Sequence, residues 1–357
     1  MRRFIILLSV CIATFAYGQK GSKVWTQSSV DDFSKGTQDN VVITDLWGGE
    51  VQLPHPMVKI VDDYIDESVV RFAAYDNLGN YIITWVEDRK LFAKKLSPTG
   101  AVLIDKFQVN TTGLEDEPRN FLHGVRLMDD NKGFLIAWEG KIIDSLHVRT
   151  LSNIYAQFYD STGTPIGANQ QVNDESNVGS ALHPAAFVDH HGQYWILWDE
   201  GDWDGTAIYC QKYSKTGEKI GENFLLNPEG FFKHEMNPIA VVDTSGNIVV
   251  VYDAMNYPAS DHSDVYIRFF DDEGKPKGPP QKVNDDTGMV TQWVSDIDSD
   301  SRGNLLVVWV DAREKTSGFG NWTDIYGQLY SPDGVALGYN FKINNPNSEY
   351  DGGLRSA

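Results

Sequence analysis

Three aspartates alternate along one short stretch, Asp296, Asp298 and Asp300. Alternate residues of an extended strand share a face, so the three carboxylates point one way. Such a set offers hard oxygen ligands to Ca²⁺, and Asp296 or Asp298 offers a carboxylate for acid–base work. The run lacks the further ligand spacing of a helix–loop–helix calcium loop. Ion pairing with Arg126, or solvation, is the plainer structural account. A second group pairs indoles with polar side chains: Trp203 lies between Asp202 and Asp204, Trp322 lies in Asn321-Trp322-Thr323, and Trp293 stands shortly before the aspartates. Exposed indoles beside carboxylates can stack on sugar rings, and local packing is the structural alternative. His123 and His183 each open an apolar stretch and read as polar residues at a rim. The eight histidines show no metal-ligand spacing, and His190-His191 reads as a solvated turn. The chain has no GxSxG, HExxH, P-loop or CxxC pattern, so those chemistries have no support.

The elements that position these residues follow from an internal repeat. One unit recurs five times: an apolar strand, a tight turn with Gly, a strand ending in an aromatic, a variable loop, a strand rich in Tyr and Gln, a second tight turn, and a strand ending in Asn. The first-turn glycines are Gly79, Gly133, Gly192, Gly246 and Gly303, spaced 54 to 59 residues apart. The aromatics are Trp85, Trp138, Trp198, Tyr252 and Trp309. The second-turn glycines are Gly100, Gly163, Gly217, Gly274 and Gly334, and the closing asparagines are Asn110, Asn173, Asn227, Asn284 and Asn344. Alternating apolar runs bounded by Gly, Asp, Ser and Pro are strand-and-hairpin chemistry. Four antiparallel strands repeated at this period predict an all-β fold, a β-propeller of four-stranded blades. The repeats fall at about 64–110, 121–173, 181–227, 236–284 and 293–344, within a propeller domain over 57–357.

Before the repeats, residues 1–18 read as a signal peptide: Arg2 and Arg3 precede a short apolar run, and Ala16-Tyr17-Gly18 fits a cleavage site. Residues 19–56 form a leader containing the hairpin-like run from Asn40 to Leu53. Lys59-Ile60-Val61-Asp62-Asp63 resembles the last strand of a repeat, Lys282-Val283-Asn284-Asp285-Asp286, and Tyr350–Ala357 stands where a sixth first strand would begin. The expected closure is therefore an incomplete six-bladed ring, with five blades closed by the leader as the alternative.

Strand order sorts the connections. With strands numbered outward from the axis, the two tight turns lie on one face and the variable loops on the other. Those loops include Glu139 to Asn153 and Asp199 to Ala207, and long connections on a rigid scaffold commonly carry function. The recurring tryptophans read as inter-blade core. The net charge of −20 becomes −22 once Arg2 and Arg3 leave with the signal, which disfavours nucleic acid and anionic membrane surfaces as partners. No later stretch is apolar enough to span a membrane. Of the two cysteines, Cys11 leaves with the signal, and Cys210 reads as a buried, inert thiol.

The fifth repeat carries a resemblance in Asp300-Ser301-Arg302-Gly303-Asn304, Val307-Val308-Trp309, Asp324-Ile325-Tyr326-Gly327-Gln328 and Pro332-Asp333-Gly334. It resembles the propellers of secreted bacterial sialidase-like proteins, which often carry a C-terminal type IX secretion sorting domain. The resemblance spans about residues 55 to 344 and implies fold and export. The SxDxGxxW Asp-boxes, the Arg-Ile-Pro motif and an assignable arginine triad are absent from the sequence, so sialidase activity does not come with it. The expected function is a secreted or cell-surface, non-catalytic binding or adhesion propeller that presents its loop-rich face to an extracellular glycan or protein. It needs no cofactor beyond the Ca²⁺ considered above. The alternative is a glycoside hydrolase acting at the mouth of the central channel.

Overall fold

Each repeat becomes one antiparallel sheet because its second and third strands are apolar on both faces, as strands enclosed between neighbouring sheets must be. The computed structural model describes residues 23–24, 42–45, 50–52 and 70–343, except 77, 88–89, 112–122, 128–131, 144–149, 175–178, 203, 257–261, 289, 301 and 314–323. The signal peptide, Lys59–Asp63, Trp203, Trp322, Asn344 and Tyr350–Ala357 lie outside the described residues. Ahead of the blades, β1 (Lys23–Val24) pairs with β2 (Val42–Asp45), which pairs with β3 (Glu50–Gln52).

Five blades follow. Blade one holds β4 (Val70–Tyr75), β5 (Tyr81–Glu87), β6 (Lys90–Leu96) and β7 (Val102–Gln108). Blade two holds β8 (His123–Leu127), β9 (Gly133–Ile143), β10 (Thr150–Asp160) and β11 (Pro165–Gln171). Blade three holds β12 (Ser180–Val188), β13 (Tyr194–Asp202), β14 (Gly205–Tyr213) and β15 (Lys219–Leu225). Blade four holds β16 (His234–Val242), β17 (Ile248–Met255), β18 (Asp264–Phe270) and β19 (Gln281–Lys282), and blade five holds β20 (Gln292–Ser299), β21 (Leu305–Asp311), β22 (Asp324–Tyr330) and β23 (Ala336–Lys342). Strands pair in chain order within each blade, and one parallel bridge, Thr206 with His234, joins blades three and four. The first strands touch one another in series, β4 on β8, β8 on β12, β12 on β16 and β16 on β20, which makes them the inner edge of the propeller.

Two stretches expected as loops are paired strand. Asn153 lies opposite Gly140, and Thr206 opposite Gly201, so β9–β10 and β13–β14 run on as long hairpin arms on the loop-rich face. The sequence from Glu139 to Asn153 hid this because Gly140, Lys141, Asp144 and Ser145 interrupt its apolar pattern.

The core is a series of inter-blade seams, one between each successive pair of blades. Every repeat aromatic stacks on its partner in the third strand: Trp85 on Phe92, Trp138 on Tyr155, Trp198 on Tyr209, Tyr252 on Tyr266 and Trp309 on Tyr326. Buried indole N–H groups need acceptors, and an acid two residues on supplies one for Trp85 (Glu87), Trp198 (Glu200) and Trp309 (Asp311). Gly140 stands at that place after Trp138, whose Nε1 has no acceptor among the described residues.

A polar clasp ties each seam. In blade two, Gln157 donates from Nε2 to the carbonyls of Phe158, Ile166 and Gly167, and its Oε1 accepts from Asn169 at 2.6 Å. Asn169 then reaches back to blade one, donating to the Val109 carbonyl and accepting from the Thr111 amide. Gln211 with Asn223, and Gln328 with Asn340, repeat this against Val172 and Asp174, and against Val283 and Asp285. Gly167, Gly221 and Gly338 take φ of 71°, 72° and 74°, a left-handed conformation open to glycine at little cost, and it kinks the fourth strand beside the glutamine.

Blade four departs from this pattern in three coordinated places. Arg268 replaces the glutamine, Pro280 replaces the asparagine, and Pro228 replaces the residue whose N–H that asparagine would meet. The buried guanidinium spans the seam alone, donating from Nε to the Gly278 carbonyl and from its terminal nitrogens to Asn227 Oδ1 and the Glu229 carboxylate. Arg268→Gln leaves the buried Asn227 oxygen without its guanidinium donor and with no asparagine to replace it, so it is expected to cost about 1–3 kcal/mol, read from the urea midpoint. Adding Pro280→Asn should recover part of the loss, and an unshifted midpoint for Arg268→Gln would contradict the clasp.

Candidate active site at the loop-rich mouth

The inner strands of blades three and four carry matching irregularities. The pairing of β12 skips His183-Pro184, between Leu182 and Ala185, and that of β16 skips Asn237-Pro238, between Met236 and Ile239. His183 and Asn237 have φ of 51° and 54°. That conformation is rare for residues with a Cβ, and a following proline disfavours helical backbone further. Each such position stores on the order of 1–3 kcal/mol, held only where surrounding contacts over-determine it.

Those contacts form one relay across three blades. His183 Nδ1 meets Asp199 Oδ1 at 2.7 Å, and the same oxygen accepts the Asn237 backbone N–H at 3.1 Å. Asn237 Nδ2 donates to Asp253 Oδ2 at 2.7 Å, and Asp253 Oδ1 accepts the Val294 N–H of β20 at 2.6 Å. Blade two adds Glu139, buried and accepting from Ser152 Oγ at 2.9 Å. Asp199, Asp253 and Glu139 each follow directly on the repeat aromatic, whereas valine, Val86 or Val310, stands there in the first and fifth repeats. That contrast between repeats was the signal for the site, and residue types read singly miss it.

The electrostatics give the histidine a distinct character. Burial pulls the His183 pKa down. The Asp199 hydrogen bond and charge, with the charges of Glu139 and Asp253, more than reverse this, so it lies above the ordinary histidine value. Asp199 fixes the proton on Nδ1 and leaves Nε2 as the exchanging nitrogen. The His183 side chain is 30% exposed, while that of Asp199 is 3% exposed. Among the described residues Nε2 has no hydrogen-bond partner. An imidazole held by a buried carboxylate and open at its other nitrogen is a proton-transfer group. Desolvation pushes the fully buried Asp253 carboxyl up to about 7, against the pull of the Val294 and Asn237 hydrogen bonds.

Of the residues singled out in the sequence, His183 belongs to this site. Trp293 lies within β20 opposite Val310, more than a third exposed and directly before Val294. Asp296 and Asp298 share a face of β20, half-buried, and each accepts the backbone N–H of the next residue. Asp300 does not join them. Its side chain closes the tight turn, accepting from the Arg302 and Asn304 amides and from Asn304 Nδ2. The strand ends at Ser299, so the three-aspartate Ca²⁺ site does not form. Asp202 and Asp204 are exposed at the tip of β13–β14, where Asp202 accepts the Asp204 amide and Asp204 pairs with Lys233. His123 and Arg126 lie on β8 opposite Trp138 and Leu135, and their side chains are outside the described residues. Cys210 is buried and its thiol pKa is raised by desolvation, as expected of an inert thiol.

No known protein family matches the chain, and no curated protein does. Solved structures do. An ulvan lyase of polysaccharide lyase family PL25 is 13% identical with a TM-score of 0.53, over 78% of this chain and 71% of that one. An α-L-arabinofuranosidase from Lactobacillus brevis is 12% identical with a TM-score of 0.46, over 79% and 98%. An endo-arabinase from Bacteroides thetaiotaomicron is 14% identical with a TM-score of 0.38, over 72% and 91%. The likeness is one of fold, and the protein is a β-propeller. In the ulvan lyase, the neighbour with a TM-score above 0.5, this fold is carried by a catalytic protein, which corrects the expectation of a non-catalytic binding or adhesion module.

The buried carboxyls make stability depend on pH. Desolvation raises Glu235 to about 7, against the Asn227 hydrogen bond, and Asp253 to the same region. Both bind a proton more tightly folded than unfolded. Their contribution is therefore fullest below the ordinary carboxylate range and is lost as pH rises towards 7. Melting temperatures across that window should fall with pH, and Glu235→Gln should flatten the fall. Parallel curves for variant and wild type would contradict the burial.

Proposed function

We propose that this protein is an exported glycan-cleaving enzyme, a glycoside hydrolase working at the loop-rich mouth of its channel. The observation that carries the reading is the 2.7 Å contact between His183 and the buried Asp199, with the imidazole open on its other side. In this role His183 moves the proton at the scissile bond, and Asp199 is a positioning residue that sets its tautomer and basicity. Trp293 offers an indole face for a sugar ring. Asp296 and Asp298, on the same inner strand, offer the carboxylates that hydrolysis requires. The leader over 1–18 supports export and thus an extracellular substrate. A second chemistry, elimination from a uronate-containing chain, is favoured by one feature: the partly accessible titratable group beside the buried relay is an imidazole, which suits proton abstraction.

The test is a panel of arabinans, xylans and uronate-containing polysaccharides, followed by new reducing ends and by the ultraviolet absorbance of unsaturated sugars. Reducing ends alone signify hydrolysis, and both signals together signify elimination. On the substrate found, His183→Ala should lower kcat/KM by about 100-fold or more. Asp199→Asn should move the histidine limb of the pH profile to lower pH, because it removes the charge that raises His183. Full turnover by His183→Ala would defeat the assignment.

A further inference from the structure

A second cluster lies on the opposite face, among the tight turns. His190 and His191 occupy the first turn of blade three, and Asp272 the second turn of blade four. His191 Nε2 is 3.3 Å and His190 Nε2 3.7 Å from the same oxygen, Asp272 Oδ2. One donor atom from each residue lies within 4.8 Å of the other two. The rings sit side by side at a tilt of 41°, their centroids 3.8 Å apart. His190 also packs its Nδ1 edge on Gly246 of blade four, where a Cβ would approach to 2.7 Å, so its Nε2 is turned towards the aspartate.

We propose that His190, His191 and Asp272 bind one zinc-class divalent ion, which fastens blade three to blade four. Zinc takes imidazole nitrogen and carboxylate oxygen at about 2.0–2.2 Å, so tetrahedral donors stand roughly 3.3–3.5 Å apart. The two nitrogen–oxygen separations bracket that value, and small rotations of exposed side chains close the difference. Two imidazoles and one carboxylate suit zinc and its transition-metal neighbours, while calcium prefers all-oxygen ligands. Three protein ligands leave a fourth position for water. Lys215 passes close by, its side chain crossing Gly192 beside His191. The histidines adjoin in sequence and their third partner is distant, so ligand spacing along the chain does not disclose the site. The inference is independent of the proposed glycan chemistry, whose residues lie on the other face.

The experiment is calorimetric titration of the untagged mature chain with ZnCl₂ and, separately, CaCl₂, with melting curves at each endpoint. The expected result is one zinc per chain, a raised melting temperature and no response to calcium. His191→Ala and Asp272→Asn should each weaken zinc binding by more than the roughly tenfold that even an outer-layer partner costs, while melting like wild type in chelator. Substituting Co²⁺ should give the intense visible bands of a tetrahedral centre, and these should vanish in His191→Ala. No zinc uptake, or uptake unchanged in both variants, would overturn the proposal.

Discussion

The structure depends on how one blade holds the next. Apolar seams between sheets stack without direction, and a stack of sheets can slide or splay. The glutamine–asparagine clasp removes that freedom. A fully bonded glutamine in the third strand fixes an asparagine in the fourth, and that asparagine meets one carbonyl and one N–H of the preceding blade. Each partner is backbone, so the clasp fixes register as well as contact, and a buried polar network of this kind is worthwhile because all its members are satisfied.

The relay at the other end of the seams relies on that register. Asp199 belongs to blade three and Asn237 to blade four, while Asp253 of blade four meets the Val294 amide of blade five. A shift of one blade by a single residue would break these contacts and release the unusual backbone of His183 and Asn237. The strained residues and the buried carboxylates are therefore one arrangement: the carboxylates hold the strain, and the strain presents the imidazole. The Arg268 variant of the clasp sits in the seam between blades three and four, which the relay also crosses.

Much of this fold was legible in the chain because the repeat states its own grammar. Turn glycines and stacked aromatics recur in register in all five repeats, and the third-strand glutamine in three of them, Gln157, Gln211 and Gln328. The closing asparagines do so for a reason: Asn110, Asn173 and Asn284 accept a third-strand N–H in their own blades, from Leu91, Ile154 and Val265, whereas Asn227 is taken by Arg268 instead. What escaped depended on comparison between repeats or on three-dimensional proximity. Asp300 looked like a third channel carboxylate because alternation was carried one residue beyond the strand, into a turn whose Asp–x–x–Gly pattern recurs elsewhere. The long hairpin arms looked like loops because polar residues and glycines near a strand end resemble loop composition. Asp199 read as the start of a variable loop, and the role of Asp199 and Asp253 follows from the bulges of β12 and β16, which bring adjacent blades onto the same carboxylates.

The central claim is that a buried aspartate, shared between two blades, sets the protonation of a half-buried imidazole. Nuclear magnetic resonance titration of His183 tests it most directly. The account predicts a pKa above that of an ordinary histidine, a neutral form protonated at Nδ1, and a drop in pKa when Asp199 becomes asparagine. An unshifted titration, or one indifferent to that substitution, would contradict it.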